Sequence, residues 1–198
     1  MSKRNTVRLI NNIVEKTLDT PAKARQEANT LNALYASGVQ VPRVLGIDGN
    51  ILQLEYIKGK TLPDLIDEWE GGIPSDNCID KTAEAIVLWL VSFYDGVDTK
   101  ATGIIRGDIN GRNFIICNSQ VWGVDFEEET TGDILEDAGM LMAFTSTYDP
   151  ADTPVKTLLA DRVGLHFASL LHLDPDHINH HHQKAVKTLL SRRTKNER

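Results

Sequence analysis

The sequence predicts an α+β fold in which a small antiparallel sheet precedes a mainly helical second part. Two pairs of short β-branched runs, each pair joined by turn residues, predict the sheet. A helical pattern separates the two pairs, and helical spacing dominates after the second pair. We therefore expect two lobes, residues 1–57 and residues 58–198.

The elements of the first lobe follow from local signals. Residues 6–10 and 13–18 alternate, and Asn11-Asn12 between them favours a hairpin. Thr20 and Pro21 are typical of a helix start, and Gly38 of a helix end, so a helix is expected over 22–37. Strands over 39–47 and 51–57, joined by Asp48-Gly49-Asn50, complete this lobe.

The second lobe shows helical periodicity in five places. The most apolar of the five patterns predicts the buried spine of this lobe. The predicted helices cover residues 62–70, 77–94, 133–148, 153–173 and 177–193. Between the second and third of them, two apolar runs flank a polar loop.

The polar loop contains Asp108 and, five residues later, Asn113; a further apolar run then ends at Asp125. Carboxylate and amide oxygens are ligands that hard cations such as Mg²⁺ prefer, and a positioned Asp can accept a proton. The alternative is an Asx-rich turn in which Asp108 and Asn113 only cap the backbone.

The loop and the run after it resemble the catalytic loop and metal-binding segment of the protein-kinase-like superfamily, H-[RG]-D-x-x-x-x-N followed by an apolar residue and Asp-Phe-Gly. The resemblance implies a minimal bilobal fold and an activity that transfers phosphate from ATP with Mg²⁺ or Mn²⁺. It makes Asp108 the base, and Asn113 and Asp125 the metal ligands.

The same resemblance extends into the first lobe. Lys16 matches the strand lysine that holds the nucleotide phosphates, and Glu27 its ion-pair partner on the following helix. The backbone of Glu55 and Ile57 matches the hinge that holds the adenine edge. In the second lobe, Asp137 matches an acid that braces the catalytic loop.

The residues from 25 to 47 and the Arg-Gly-Asp form of the loop narrow the resemblance. They are most similar to the kinase of the KEOPS tRNA-modification complex, the RIO kinases and the aminoglycoside phosphotransferases. That similarity implies autophosphorylation or ATP hydrolysis, supporting tRNA modification, in the cytoplasm with protein partners. A pseudokinase that binds without transferring phosphate, and a small-molecule kinase, are the alternatives.

Three departures from the pattern bear on activity. Only residues 1–5 precede the first strand, so the first lobe is expected to lack the glycine-rich loop that covers the phosphates. Arg106 replaces the usual His and could pair with Glu127 or Asp125, or face the substrate. Glu127 replaces the usual Gly; with Asp125 and Glu128 it forms either a metal site or, as we expect, a solvated turn.

Composition and charge limit the remaining possibilities. A net charge of −7 argues against a general nucleic-acid-coating surface, and no run has the roughly 20 apolar residues of a membrane span. The basic segment 184–198 is either a solvated end or a contact for RNA or a protein. Four histidines between 177 and 182 are expected to be a polar helix face rather than a metal site. Cys78 and Cys117 form no disulfide framework.

Overall fold

A computed structural model of the protein describes residues 6–72, 74–127 and 129–196, with side chains up to residue 192. Its first part is a four-stranded antiparallel sheet in the order β1-β2-β4-β3, with one helix after the first hairpin. The elements are β1 (Thr6–Ile10), β2 (Ile13–Thr17), α1 (Pro21–Ala36), β3 (Val44–Asp48) and β4 (Ile51–Glu55). The α+β class predicted from the sequence is confirmed.

The first hairpin and helix form where the local signals place them. Asn11 and Asn12 both have positive φ, as a two-residue hairpin turn of the primed type requires. The Thr20 side chain accepts from the backbone N–H of Lys23 at the start of α1. Gly38, with φ of +84°, follows its end.

The third predicted strand was wrong in its first half. The chain pairs only from Val44, whereas residues 39–43 form an irregular segment whose Val39 and Val41 are buried in the core. Pro42 lacks the backbone N–H that a ladder needs, so the alternating valines reflect burial and not pairing. The fourth strand ends at Glu55, two residues before the predicted end.

The rest of the chain consists of helices and three short strand pairings. The five predicted helices are present with ends shifted by a few residues. One further helix and three of the strands are too short for periodicity to reveal. The elements are β5 (Lys60–Thr61), α2 (Leu62–Gly71), α3 (Asp76–Gly96), α4 (Thr99–Thr102), β6 (Ile104–Ile105), a 3-10 turn (Gly111–Asn113), β7 (Phe114–Cys117), β8 (Gln120–Gly123), β9 (Thr130–Thr131), α5 (Ile134–Thr147), α6 (Pro154–Leu171) and α7 (Pro175–Asn196).

Helix α3 is the buried spine, and it fixes the β7–β8 hairpin. Its Trp89 lies edge-on to Phe114 at 5.5 Å between ring centroids and donates to the Gln40 carbonyl at 2.8 Å. The indole also packs on Gly123, where an added Cβ would come within 2.1 Å of the ring. The end of β8 is therefore held at a fixed distance from the helix.

Among the described residues, no helix has the length and apolar character needed to cross a bilayer.

Candidate active site

A cavity of about 320 Å³ lies between the sheet and the β7–β8 hairpin; we call it the sheet–hairpin cavity. Six of the seven residues predicted to be catalytic, nucleotide-binding or metal-binding line it: Lys16, Glu27, Glu55, Ile57, Asn113 and Asp125. Its other walls are mostly apolar, with Val14, Leu54 and Ile115 among them. A larger cavity of about 510 Å³ contains none of these six residues.

Lys16 lies at the centre of an ionic group, which we call the Lys16 cluster: Lys16, Glu27, Asp125 and Glu127. Its Nζ lies 2.9 Å from Glu27, 2.6 Å from Asp125 and 2.8 Å from Glu127. Burial alone would lower the pKa of Lys16. The three carboxylates, Glu27 foremost, outweigh burial and raise that pKa above its ordinary value.

Glu27 is the buried member of the Lys16 cluster, with 1% of its surface exposed. Its Oε1 also accepts from the backbone N–H of Phe126 at 3.2 Å. Burial raises the pKa of Glu27, although Lys16 opposes the shift. In an isolated ion pair the pKa of the acid would fall; it rises here because the acid is buried and Asp125 adds a second negative charge.

The Lys16 cluster has an excess of negative charge. One ammonium faces three carboxylates, each with an oxygen within 4.8 Å of the others. Like charges this close are costly in a partly buried site unless a cation joins them. The donor set, oxygen only, fits a hard divalent cation such as Mg²⁺ or Mn²⁺.

Asp125 occupies the left-handed region, with φ of +66°. This conformation costs a non-glycine residue about 1 kcal/mol or more and persists only when neighbours hold it. Arg106 is the neighbour that does so. Its Nη2 donates to the carbonyls of Val124 and Asp125 at 2.7 and 2.8 Å, and its guanidinium lies over the Phe126 ring at 4.4 Å.

Arg106 therefore has a role other than the two expected from the sequence. With 3% of its surface exposed it does not face a substrate, and within the described part of the chain no ion pair joins it to Asp125. Backbone carbonyls and an aromatic face take its guanidinium instead. Burial lowers its pKa, and nearby carboxylates, Asp108 first, oppose the shift.

The polar loop that contains Asp108 is held from α5 by Asp137. Its carboxylate accepts from the backbone N–H groups of Arg106 at 2.8 Å and Gly107 at 2.9 Å, and from the Tyr94 hydroxyl at 2.9 Å. Burial raises the pKa of Asp137, although the three hydrogen-bond donors act to lower it. Burial also raises the pKa of Tyr94 well above its ordinary value. Gly107 has φ of +68°, and an added Cβ would meet Thr130 at 2.5 Å. The loop path thus depends on both residues.

Asp108 and Asn113 are joined directly. The Asn113 Nδ2 donates to the backbone carbonyl of Asp108 at 3.1 Å and to its Oδ2 at 3.0 Å. Because Nδ2 is used in this way, Oδ1 is the Asn113 atom available to a cation. Among the described residues, no hydrogen bond joins Asn113 to Asp125.

At another side of the cavity, the Glu55 side chain forms a salt bridge with Arg43. Its oxygens lie 3.0 and 3.2 Å from the guanidinium, and hydrogen bonding to Arg43 lowers the pKa of Glu55. Because Arg43 binds the Glu55 carboxylate, a ligand at this edge of the cavity would meet the backbone of Glu55 and Ile57.

Glu127 is the residue whose place the sequence predicted wrongly. It was expected in a solvated turn, yet its carboxylate lies 2.8 Å from the Lys16 Nζ and its side chain is only 23% exposed. The available signal was its position two residues after Asp125. Glu128 lies outside the described residues, as do residues 1–5, where the glycine-rich loop was expected to be missing.

The histidines do not form a metal site with one another or with acids in the part of the chain that is described. His177 and His180 are exposed on α7, as predicted. His182 is an exception: burial lowers its pKa, and its Nε2 lies 3.4 Å from the Ser146 hydroxyl. On the basic segment, Lys184, Lys187 and Arg192 lie on α7; the side chains of Arg193, Lys195 and Arg198 lie outside the described residues.

Fold and site together define a protein of the protein-kinase-like class. The chain superposes on the protein in the gentamicin–APH(2″)-IIa complex with a TM-score of 0.60 at 13% identity, over 91% of this chain and 77% of that one. A choline/ethanolamine kinase family protein from Mesorhizobium loti matches with a TM-score of 0.44 at 15% identity, over 92% and 84%. The fold assignment rests on the first.

Within this class the chain belongs to the RIO-domain family, whose family model matches residues 8–141. A curated relative, a probable bifunctional tRNA threonylcarbamoyladenosine biosynthesis protein from Methanothermobacter thermautotrophicus, is 26% identical over 121 residues. The match covers 60% of this chain and 20% of the relative, so the chain matches about a fifth of that protein. The family resemblance expected from the sequence is confirmed.

Proposed function

We propose that this protein is a phosphotransferase that uses ATP and a divalent metal, an atypical kinase or ATPase of the RIO and KEOPS type. One observation carries the proposal. The Lys16–Glu27 ion pair, Asp125 and Asn113, from distant parts of the chain, line one cavity of about 320 Å³, and Asn113 is hydrogen-bonded to Asp108. Members of the family this chain belongs to are phosphotransferases.

Each residue has a role in the proposal. Lys16 binds the α- and β-phosphates, and Glu27 orients its ammonium. The backbone of Glu55 and Ile57 binds the adenine edge. Asp108 accepts the proton of the attacking hydroxyl, and its hydrogen bond from Asn113 orients the carboxylate.

Asn113 and Asp125 are the proposed metal ligands. A bound Mg²⁺ or Mn²⁺ supplies positive charge against the nucleotide phosphates. The oxygen donors and the excess of carboxylates in the Lys16 cluster fit such a cation. Arg106 maintains the φ of Asp125 through the two carbonyls that it binds, and so fixes one ligand through its backbone.

The wider biology is part of the proposal. The name of the tRNA threonylcarbamoyladenosine biosynthesis relative supports a link to tRNA modification. The proposal adds ATP turnover in that process, with protein partners in the cytoplasm. The phosphate acceptor is a protein or a small molecule, and a solved protein of the same fold is in complex with gentamicin. The basic segment, with Lys184 and Lys187 exposed on α7, is the proposed contact for RNA or a protein. We assign residues 1–57 and 58–198 to the two lobes.

A nucleotide-binding pseudokinase is the second candidate, and the engagement of all three Lys16 N–H donors favours it. The two functions differ in whether the γ-phosphate leaves ATP. Purified protein is incubated with γ-labelled ATP and Mg²⁺ or Mn²⁺, alone and with candidate acceptors, beside the Asp108→Asn variant. Label on protein or as free phosphate, absent from the variant, is the expected result. ATP binding without any loss of label would establish the pseudokinase, and no binding would overturn both.

A further inference from the structure

Arg112 lines the sheet–hairpin cavity, although the proposed function gives it no role. It lies between the predicted base Asp108 and the predicted metal ligand Asn113, at one of the four unspecified positions of the motif. Among the described residues that line this cavity, Lys16 and Arg112 are the two cations. An anionic ligand would therefore meet two positive side chains, which differ in what they already bind.

The charge of Lys16 is already opposed within the chain. Its Nζ lies 2.6 to 2.9 Å from the carboxylates of Glu27, Asp125 and Glu127. One ammonium and three carboxylates give the Lys16 cluster a formal net charge of −2. A single divalent cation brings the cluster to neutrality and no further. The negative charge of a nucleotide polyphosphate would then need a cation from elsewhere in the cavity.

The guanidinium of Arg112 is available for such a ligand. The side chain is exposed, and in the part of the chain that the structure describes it forms no salt bridge and no hydrogen bond. Glu55, another charged residue of the cavity, is by contrast bound by Arg43. Arg112 can bind an anion without first breaking an internal contact, and without the desolvation penalty of a buried charge.

The backbone that carries Arg112 is held in place on both sides. Its N–H donates to the Asn110 side chain at 3.0 Å, and the Asn113 N–H donates to the Asn110 carbonyl at 2.9 Å. Gly111 is buried against α2, where an added Cβ would come within 3.3 Å of Pro63. The Cα of Arg112 is therefore fixed beside Asn113, and its side chain is the part left to adjust to a ligand.

A guanidinium suits phosphate in particular, because its planar N–H groups can donate two parallel hydrogen bonds to one phosphate. We propose that Arg112 is a second phosphate-binding residue of the cavity, which holds the polyphosphate of the nucleotide together with Lys16 and the metal. The inference rests on the proposed function, since it takes the sheet–hairpin cavity as the nucleotide site. A nucleoside without phosphates gains nothing from Arg112.

Binding of ADP and of adenosine, measured by calorimetry with Mg²⁺ present, tests this role. Arg112→Gln should weaken ADP binding about tenfold, because a hydrogen bond to a charged group is lost, and should leave adenosine binding unchanged. Arg112→Lys keeps the charge without the planar fork and should weaken ADP binding less. Arg25→Gln is the matched control. Arg25 is also exposed but lines the larger cavity, so the same change of charge there should alter neither affinity.

The dependence on salt separates a contact with phosphate from a change in the fold. An exposed charge pair is screened as salt rises, so the difference in ADP affinity between the unaltered protein and Arg112→Gln should narrow at high salt. Circular dichroism and thermal unfolding check that each variant folds as the unaltered protein does. A loss that salt does not change, or an equal loss for adenosine, would overturn the phosphate contact.

The remaining outcomes distinguish this inference from the proposed function. ADP binding that is the same in the unaltered protein and in Arg112→Gln would overturn the role of Arg112 alone. An equal loss in Arg25→Gln would do so too, since it would show an effect of net charge and not of position. No ADP binding by the unaltered protein would overturn both proposals.

Discussion

The partly buried Lys16 cluster and the buried group around Asp137, which we call the Asp137 brace, lie at the same site and are built in opposite ways. Asp137 has a donor for each of its oxygens: two backbone N–H groups and the Tyr94 hydroxyl. The Lys16 cluster has one ammonium for three carboxylates. The brace is complete within the chain, whereas the cluster needs a further cation to balance its charge. A site that binds a charged ligand requires both, a fixed loop and an unsatisfied charge.

The largest effect should come from Asp108→Asn, which leaves both groups intact and removes the proposed base. General bases contribute roughly 10² to 10⁴ in rate, so we expect phosphate transfer to fall by about 10³. Nucleotide affinity should change little, because Asp108 is not among the residues that line the cavity. Full transfer activity in this variant would show that Asp108 is not the catalytic base.

Breaking the brace should cost stability more than any surface change. Asp137→Ala leaves two backbone N–H groups and the Tyr94 hydroxyl without their buried acceptor, and we expect a loss of about 3 kcal/mol in the free energy of unfolding. Chemical denaturation measures it. Glu136→Ala, on the exposed side of the same helix, is the control and should change stability by less than about 0.5 kcal/mol. Equal effects from the two variants would contradict the role of Asp137.

The stability of the folded protein at alkaline pH should depend on one residue of each group, Tyr94 of the Asp137 brace and Lys16 of the Lys16 cluster. Tyr94, with its pKa raised well above 10.0, keeps its proton in the folded state where the unfolded state loses it. Lys16, raised above 10.5, does the same. In both cases the folded state binds more protons, so stability falls as pH rises above about 10.

Tyr94→Phe should therefore make the alkaline fall in stability shallower without abolishing it, because Lys16 still titrates. The variant should also lose about 1 kcal/mol near neutral pH, since Asp137 loses one donor. Unfolding free energies measured from pH 8 to 11 give both values. Tyr35→Phe is the matched control, because Tyr35 is 55% exposed on α1. An unchanged slope in Tyr94→Phe would mean that Tyr94 titrates normally.

The parts that sequence predicts well are those that neighbouring residues determine. Asn11-Asn12 specifies a hairpin turn through its φ angles, and Thr20-Pro21 a helix start. The motif spacing singled out Asn113 and Asp125, which line the cavity, and Asp108, which is hydrogen-bonded to Asn113. Their roles in catalysis and metal binding stay predictions.

What sequence did not predict depends on residues that are distant along the chain. Arg106 binds the carbonyls of Val124 and Asp125, which are 18 and 19 residues further along the chain, so no local pattern reveals the contact. Glu127 meets Lys16 from an equally non-local position, on the other side of the predicted lobe boundary. Elements such as α4 and β9 have four and two residues, fewer than a periodic pattern needs.

The central claim is that the excess negative charge of the Lys16 cluster serves a metal-bound nucleotide. Calorimetric titration of ATP with and without Mg²⁺, into the unaltered protein and Asp125→Asn, tests it most directly. We predict binding that Mg²⁺ strengthens in the unaltered protein and that loses this metal dependence in Asp125→Asn. Equal gains from Mg²⁺ in both proteins, or no gain in either, would contradict the account.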